Sequence, residues 1–165
     1  MKSWMSSIAI CVALSGCSDD GPWSGPAGTK MGISKEQLGK YSVLESVGSN
    51  NIGTTMFSSK QAPSMTSAAD TYEYVFSPEG QLCMVQMRFE SVRQTASPLM
   101  LDLKTRYGLP AKDPAVSWGV VWSSEKYKLS DNLSEISAEF QGEEPNVSAV
   151  VSFSFENVKD CKPQS

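Results

Sequence analysis

Histidine is absent from this 165-residue chain. That removes the one side chain whose ordinary titration lies near neutral pH, and with it the usual general base and the commonest metal ligand. No glycine-rich phosphate loop follows a strand-like run. No apolar stretch approaches the about 20 residues that a helix needs to cross a bilayer. Long blocks of one charge are also missing: 14 Lys and Arg are interspersed with 18 Asp and Glu, for a net of −4. A mildly acidic chain gains nothing from a phosphate backbone or from anionic lipid, so nucleic acid is not an expected partner. Cysteine is sparse, and the distant pair Cys83 and Cys161 does not have metal-ligand spacing. No cofactor or metal is expected.

What is present begins at the N-terminus. Met1-Lys2-Ser3 carries one positive charge, and Ile8 to Leu14 is apolar but too short to span a membrane. The run Leu14-Ser15-Gly16-Cys17 closes it. This resembles the lipobox of bacterial lipoproteins. The resemblance implies a signal peptide over 1–16, cleavage before Cys17, and a diacylglyceryl group plus an N-acyl chain, such as palmitate, on that cysteine. Two or more acyl chains make a lasting anchor where one is marginal. Ser18 stands where an Asp favours inner-membrane retention, and Asp19 comes one place too late. By that resemblance the protein faces the periplasm from the outer membrane. Without Lys2 the mature chain holds 13 basic against 18 acidic residues, a net of −5.

The same reading sorts the four cysteines. Cys11 leaves with the signal and Cys17 is lipidated. Cys83 and Cys161 then remain in an oxidising compartment, either as a disulfide or as two unrelated buried thiols. A bridge between them would close a loop worth at most about 4.5 kcal/mol in the chain-entropy model.

Residues 17–30 read as the lipidated cysteine and a flexible tether, because Gly, Pro and Ser there bury too little surface to order themselves. Trp23 is out of place in such a tether, and docks on the domain, meets the lipid interface, or is simply exposed. Residues 31–165 read as a single domain. Ser34-Lys35-Glu36-Gln37 fits a capping box opening a short helix, with Leu38 and Tyr41 on its apolar face. Val43 to Val47 reads as a strand, and Gly48 to Asp70 as weakly patterned, with a short strand possible only at Thr54–Phe57. Tyr72, Tyr74 and Phe76 alternate on one strand, Ser77-Pro78-Glu79-Gly80 suits a type I turn, and Cys83, Val85, Met87 and Phe89 share one face of the return strand. Ser97 and Pro98 open a second helix carrying Leu99, Met100, Leu103 and Tyr107, and Gly108 and Pro110 end it. Alternating runs follow at Val116–Trp122, Leu133–Phe140 and Val147–Phe155, the last two joined by a turn at Gly142–Asn146. The expected fold is α+β: an antiparallel sheet with two short helices packed on one face, in the order α-β-β-β-α-β-β-β, the halves reading as two loose repeats.

Motifs for chemistry are weak. Ser123-x-x-Lys126 and Ser130-Asp131-Asn132 spell two of the three motifs of class A β-lactamases and penicillin-binding enzymes. They stand seven residues apart between strand-like runs, and no Lys-Thr-Gly follows. Glu143 and Glu144 sit in a predicted turn, where solvated carboxylates are the rule. An enzyme is therefore not expected. The remaining candidates are aromatic. Tyr72, Tyr74, Trp118 and Trp122 either pack the core or form an exposed protein-binding face, since Trp and Tyr are enriched at hot spots.

Met31-Gly32-Ile33-Ser34-Lys35-Glu36-Gln37-Leu38 resembles the helical opening of the small SmpA/OmlA/BamE-type lipoproteins, and Tyr72–Phe76 with Leu82–Phe89 resembles their strands. The resemblance covers about residues 17–90 and implies an accessory role among outer-membrane proteins. The expected function is thus a non-enzymatic, lipid-anchored envelope protein that binds an envelope or periplasmic protein and meets the membrane only through its lipid. The alternative is an inhibitor or immunity lipoprotein that blocks a lysozyme-like or toxin enzyme, which the acidic balance would suit.

Overall fold

The computed structural model describes residues 21–64, 68–143 and 145–162. Eight strands form one antiparallel sheet in the order β1-β2-β3-β4-β8-β7-β6-β5. They are β1 (Glu45–Ser49), β2 (Thr55–Ser59), β3 (Thr71–Phe76), β4 (Leu82–Phe89), β5 (Ala111–Lys112), β6 (Gly119–Ser123), β7 (Leu133–Gln141) and β8 (Ser148–Phe155). The order reads alike from either edge, because each half runs outward-to-inward and the last strands of the two halves, β4 and β8, pair at the centre.

This corrects the α+β expectation. The fold is dominated by the sheet. The first helix, α1 (Lys35–Leu38), is a single turn, and among the described residues only α2 (Ser97–Tyr107) is an α-helix of any length. The order α-β-β-β-α-β-β-β is short of strands on both sides of α2. The strands absent from that order are β2 and β5. Four of the five residues of β2 are half-buried, so no clean alternation marks it, and β5 has only two residues.

Across the centre one face is fully buried, and a period of two runs through most of β4 and β8. A continuous row crosses five strands: Tyr74 pairs Val85, Val85 pairs Phe153, Phe153 pairs Ile136, and Ile136 pairs Trp122. All five are at most 3% exposed. Leu38, Ala27, Met100 and Leu103 join this core from the elements that cover it. The equivalent row on the other face is Glu73, Gln86, Ser152, Ser137 and Val121. There the bidentate pair from Arg88 Nε and Nη2 to the Glu73 carboxylate measures 2.8 and 2.9 Å.

The capping box of α1 is present: the Gln37 amide donates to Ser34 Oγ at 3.2 Å and the Ser34 amide to Gln37 Oε1 at 2.9 Å. The start of α2 differs from expectation. A π-helical turn over Val92–Ala96 feeds directly into it, so Ser97 lies inside the helical path and its hydroxyl donates back to the Val92 carbonyl at 2.7 Å instead of capping.

Residues 21–30, expected as free tether, are folded onto the domain. Trp23 N–H donates to the Gly28 carbonyl and Gly25 N–H to that of Thr29, both at 3.0 Å, and Ser64 N–H donates to the Ala27 carbonyl at 3.1 Å. Ala27 and Thr29 are buried. Trp23 docks edge-on against Tyr41 with ring centres 5.8 Å apart. Composition misled here because a few contacts made by the backbone hold the segment, and backbone contacts leave no hydrophobic signature.

Candidate functional site

Of the four aromatic candidates, the structure takes three inside. Tyr72, Tyr74 and Trp122 are at most 3% exposed, and Trp122 Nε1–H donates to the Gly108 carbonyl at 2.9 Å. They are core residues and present no face to a partner. Trp118 is separated from them. It precedes β6, its carbonyl accepts from the Phe140 amide at 2.9 Å, and its side chain is 59% exposed. The expected sharing of one strand face by Trp118 and Trp122 ends where the protein covers only the Trp122 end of the strand.

Trp118 lines an open groove of about 640 Å³ with Val116, Phe140, Gly142 and the carboxylate-bearing Glu139 and Glu143. The groove forms because the 113–118 loop folds back beside the end of the β7–β8 hairpin. Asp113 N–H donates to the Gly119 carbonyl at 3.0 Å, and the Asp113 carboxylate accepts from the Ala115 amide at 2.8 Å, fixing that loop. Glu139 is held by Gln141, whose Nε2 donates to its Oε1 at 3.1 Å. An indole face beside carboxylates is suited to a guanidinium or ammonium group, which gains from both the ring quadrupole and the charge.

A second cleft, of about 650 Å³, opens between the docked 23–28 segment and α2, with Met87, Leu103, Leu133 and Phe153 among its lining. Its rim is tied by hydrogen bonds: Ser24 Oγ donates to Asp131 Oδ1 at 2.7 Å, Ser130 Oγ to Asp131 Oδ2 at 2.8 Å, and Tyr107 Oη lies 2.8 Å from Ser130 Oγ. Asp131 and Asn132 both adopt the left-handed conformation, which Asp and Asn tolerate better than most residues. The Ser130-Asp131-Asn132 run therefore forms a turn that anchors the N-terminal segment. Ser123 ends β6, and its hydroxyl accepts from the Glu125 amide at 3.3 Å, while Lys126 sits in the turn beyond. The serine and lysine lie on a strand end and a turn, not on one face of a helix.

Cys83 and Cys161 stand at disulfide distance, their Cα atoms 6.2 Å apart. Cys83 does not share the face of Val85. The β3–β4 register shifts between Val75 and Phe76, so Leu82 pairs Phe76, and Cys83 joins Val75 and Cys161, with Met56 and Met84 packed against them. The pair fixes the 3₁₀ turn Glu156–Cys161 onto the sheet. Cys17 and the 1–16 signal segment lie outside the described residues, and among the described residues no helix is long and apolar enough to cross a membrane.

Compared with family models, curated proteins and solved structures, the chain matches none. The site is therefore argued from its own geometry. Sequence reasoning named Trp118 but missed the groove around it. The signal available was its neighbourhood: Trp118 follows Asp113-Pro114 in a turn-rich stretch, where an aromatic ring has little to pack against.

Proposed function

We propose that this chain is a non-enzymatic lipoprotein, anchored through Cys17 in the outer membrane, that binds another protein of the envelope through the groove at Trp118. The exposed indole carries the reading. A large aromatic side chain left more than half in water, in a groove walled by Phe140, is what a hot-spot anchor looks like before its partner arrives. The lipobox supports the anchoring, and the outer-membrane placement follows from Ser18.

The inhibitor reading draws on one further observation. Glu139 and Glu143 line the same groove as Trp118, so the groove complements a basic surface, as on a lysozyme-like enzyme or a cationic toxin.

The test is affinity capture of the tagged protein from its own envelope, run beside Cys17→Ala and Trp118→Ala. A membrane or assembly protein recovered with the anchored form and lost with Trp118→Ala supports the accessory role. A hydrolase or toxin recovered with both the anchored and the Cys17→Ala form, and lost with Trp118→Ala, supports inhibition. Undiminished recovery with Trp118→Ala removes the groove from either account.

A further inference from the structure

We infer that the domain lies directly against the bilayer, with the surface around the docked Gly21–Lys30 segment as its lipid-facing side. This rests on the reading of Cys17 as the lipidated residue. A free tether over residues 18–30 would let the domain stand off by up to about 43 Å. The structure removes most of that length. From Trp23, two residues after Gly21, the chain is tied down through the backbone bonds of Trp23, Gly25, Ala27 and Thr29 and through Ser24 to Asp131. Only four Cα–Cα steps separate Gly21 from Cys17, and at 3.8 Å each they span at most about 15 Å. An acyl-bearing Cys17 sits at the boundary between tails and headgroups, and the headgroup layer is itself roughly 5–8 Å deep. What is left between Gly21 and the headgroup surface is at most about 10 Å.

The surface so placed is compatible with lipid. Residues 18–64 carry Lys30, Lys35, Lys40 and Lys60 against Asp19, Asp20, Glu36 and Glu45, a neutral stretch in a net negative chain. Lys30 ends the docked segment and Lys40 adjoins Tyr41, and both are exposed. Tyr41, half-buried, is of a residue type that settles readily at a membrane interface, while Trp23, in edge contact with it, packs inward and holds the segment on the domain. The segment nearest the anchor in sequence therefore adds no net charge of its own to oppose a bilayer.

The experiment is neutron reflectometry of the acylated mature protein on a supported bilayer of phosphatidylethanolamine and phosphatidylglycerol. Mass spectrometry of the same preparation reads the acyl groups on Cys17. A variant with twelve Gly and Ser residues inserted between Asp20 and Gly21 serves as the detached reference. The wild type is expected to show no water layer beyond about 10 Å between headgroups and protein, and the insert variant a layer of roughly 20 Å. An insert variant that also lies flat shows that the face adheres by itself and supports the inference. An acylated wild type separated by the same water layer as the insert variant overturns it while leaving the lipoprotein reading intact. An unacylated Cys17 overturns the lipoprotein reading, and the inference falls with it.

Discussion

Replacing both Cys83 and Cys161 with alanine tests how the open side of the sheet is held. The two cysteines are 78 residues apart in sequence. In the chain-entropy model a loop of that size restricts the unfolded chain by about 4.5 kcal/mol at 25 °C, an upper figure because unfolded chains are already partly compact. The figure applies only if both ends belong to one cooperative unit, and the contacts say that they do. Asn157 Nδ2 donates to the Leu82 carbonyl at 3.1 Å and Thr54 Oγ1 donates to the Cys161 carbonyl at 3.2 Å, so the 3₁₀ turn is bound to β4 and to the start of β2 besides the bridge. For a domain of this size the loss corresponds to a fall in Tm of about 10–15 °C. Urea unfolding of the double variant should show a lower midpoint and a steeper slope, since the unfolded chain expands once the cross-link is gone. The wild type should also resist dithiothreitol under native conditions, because Cys83 is fully buried and Cys161 8% exposed. A loss below about 1 kcal/mol, or amide exchange that rises only over residues 156–161, would show that the turn frays alone and that the cooperative-unit argument is wrong.

The Arg88–Glu73 pair should respond unequally to deletion. Glu73 is 11% exposed and Arg88 49%, so Arg88→Ala strands a carboxylate in the sheet and should cost about 2 kcal/mol, whereas Glu73→Gln leaves a guanidinium that reaches water and should cost under about 1 kcal/mol. Equal losses in chemical denaturation would refute the asymmetry. Burial raises the pKa of the Tyr74 phenol, and the Ser42 hydroxyl only partly offsets this. A phenol whose folded pKa lies above its unfolded value contributes stability that is full below about pH 10 and is lost as pH rises from there toward the folded value. Absorbance at 295 nm should therefore show a phenol that stays protonated above the ordinary tyrosine range until the protein unfolds, a component that Tyr74→Phe removes. Gly28 has φ +75° and an added Cβ would lie 2.6 Å from the Ser64 amide nitrogen. Gly28→Ala should raise amide exchange at Trp23 and Gly25 while leaving β4 and β8 protected. Unchanged exchange there would mean that the segment tolerates the side chain and is docked less tightly than described.

The sequence was legible where burial is one-sided. Most of Leu82–Phe89 and Ser148–Phe155 alternates because those strands have a wetter and a dry face, whereas Tyr72–Phe76 is buried on both faces and its alternating aromatic rings mark the core side. It was illegible where no face is clearly dry. β2 is half-buried along four of its five residues and β5 is held by two residue pairs to β6, while β1, expected over Val43–Val47, begins two residues later. Alternation also predicted the wrong side for Cys83, since the irregularity at Val75 and Phe76 that moves it out of register has no sequence signature. The aromatic candidates show the same limit. Periodicity places Trp118 and Trp122 on one face, but whether that face is covered depends on elements far along the chain, and the cover stops before Trp118.

The docked N-terminal segment and the Trp118 groove are joined by one strand, and this bears on what the protein can reach. Ser24 is bonded to Asp131, two residues before β7 begins, and Trp118 is bonded to Phe140, near its end. Nine residues separate Asp131 from Phe140, about 30 Å at the rise of a strand. The groove therefore sits a fixed distance from the docked segment, set by β7 instead of by a linker. On the proposed reading of Cys17 as the lipidated residue, at most about 15 Å from Cys17 to Gly21, about 11 Å from Gly21 to Ser24 and about 30 Å along β7 place the groove within roughly 60 Å of the anchor. On that reading a membrane-embedded or membrane-bound partner is favoured over one deep in the periplasm, and tether length becomes a functional variable. The twelve-residue insert that detaches the domain should weaken capture of a membrane-bound partner while leaving binding to the same partner in detergent unchanged. Equal capture in the membrane with and without the insert would mean that the groove's position relative to the bilayer has no part in recognition.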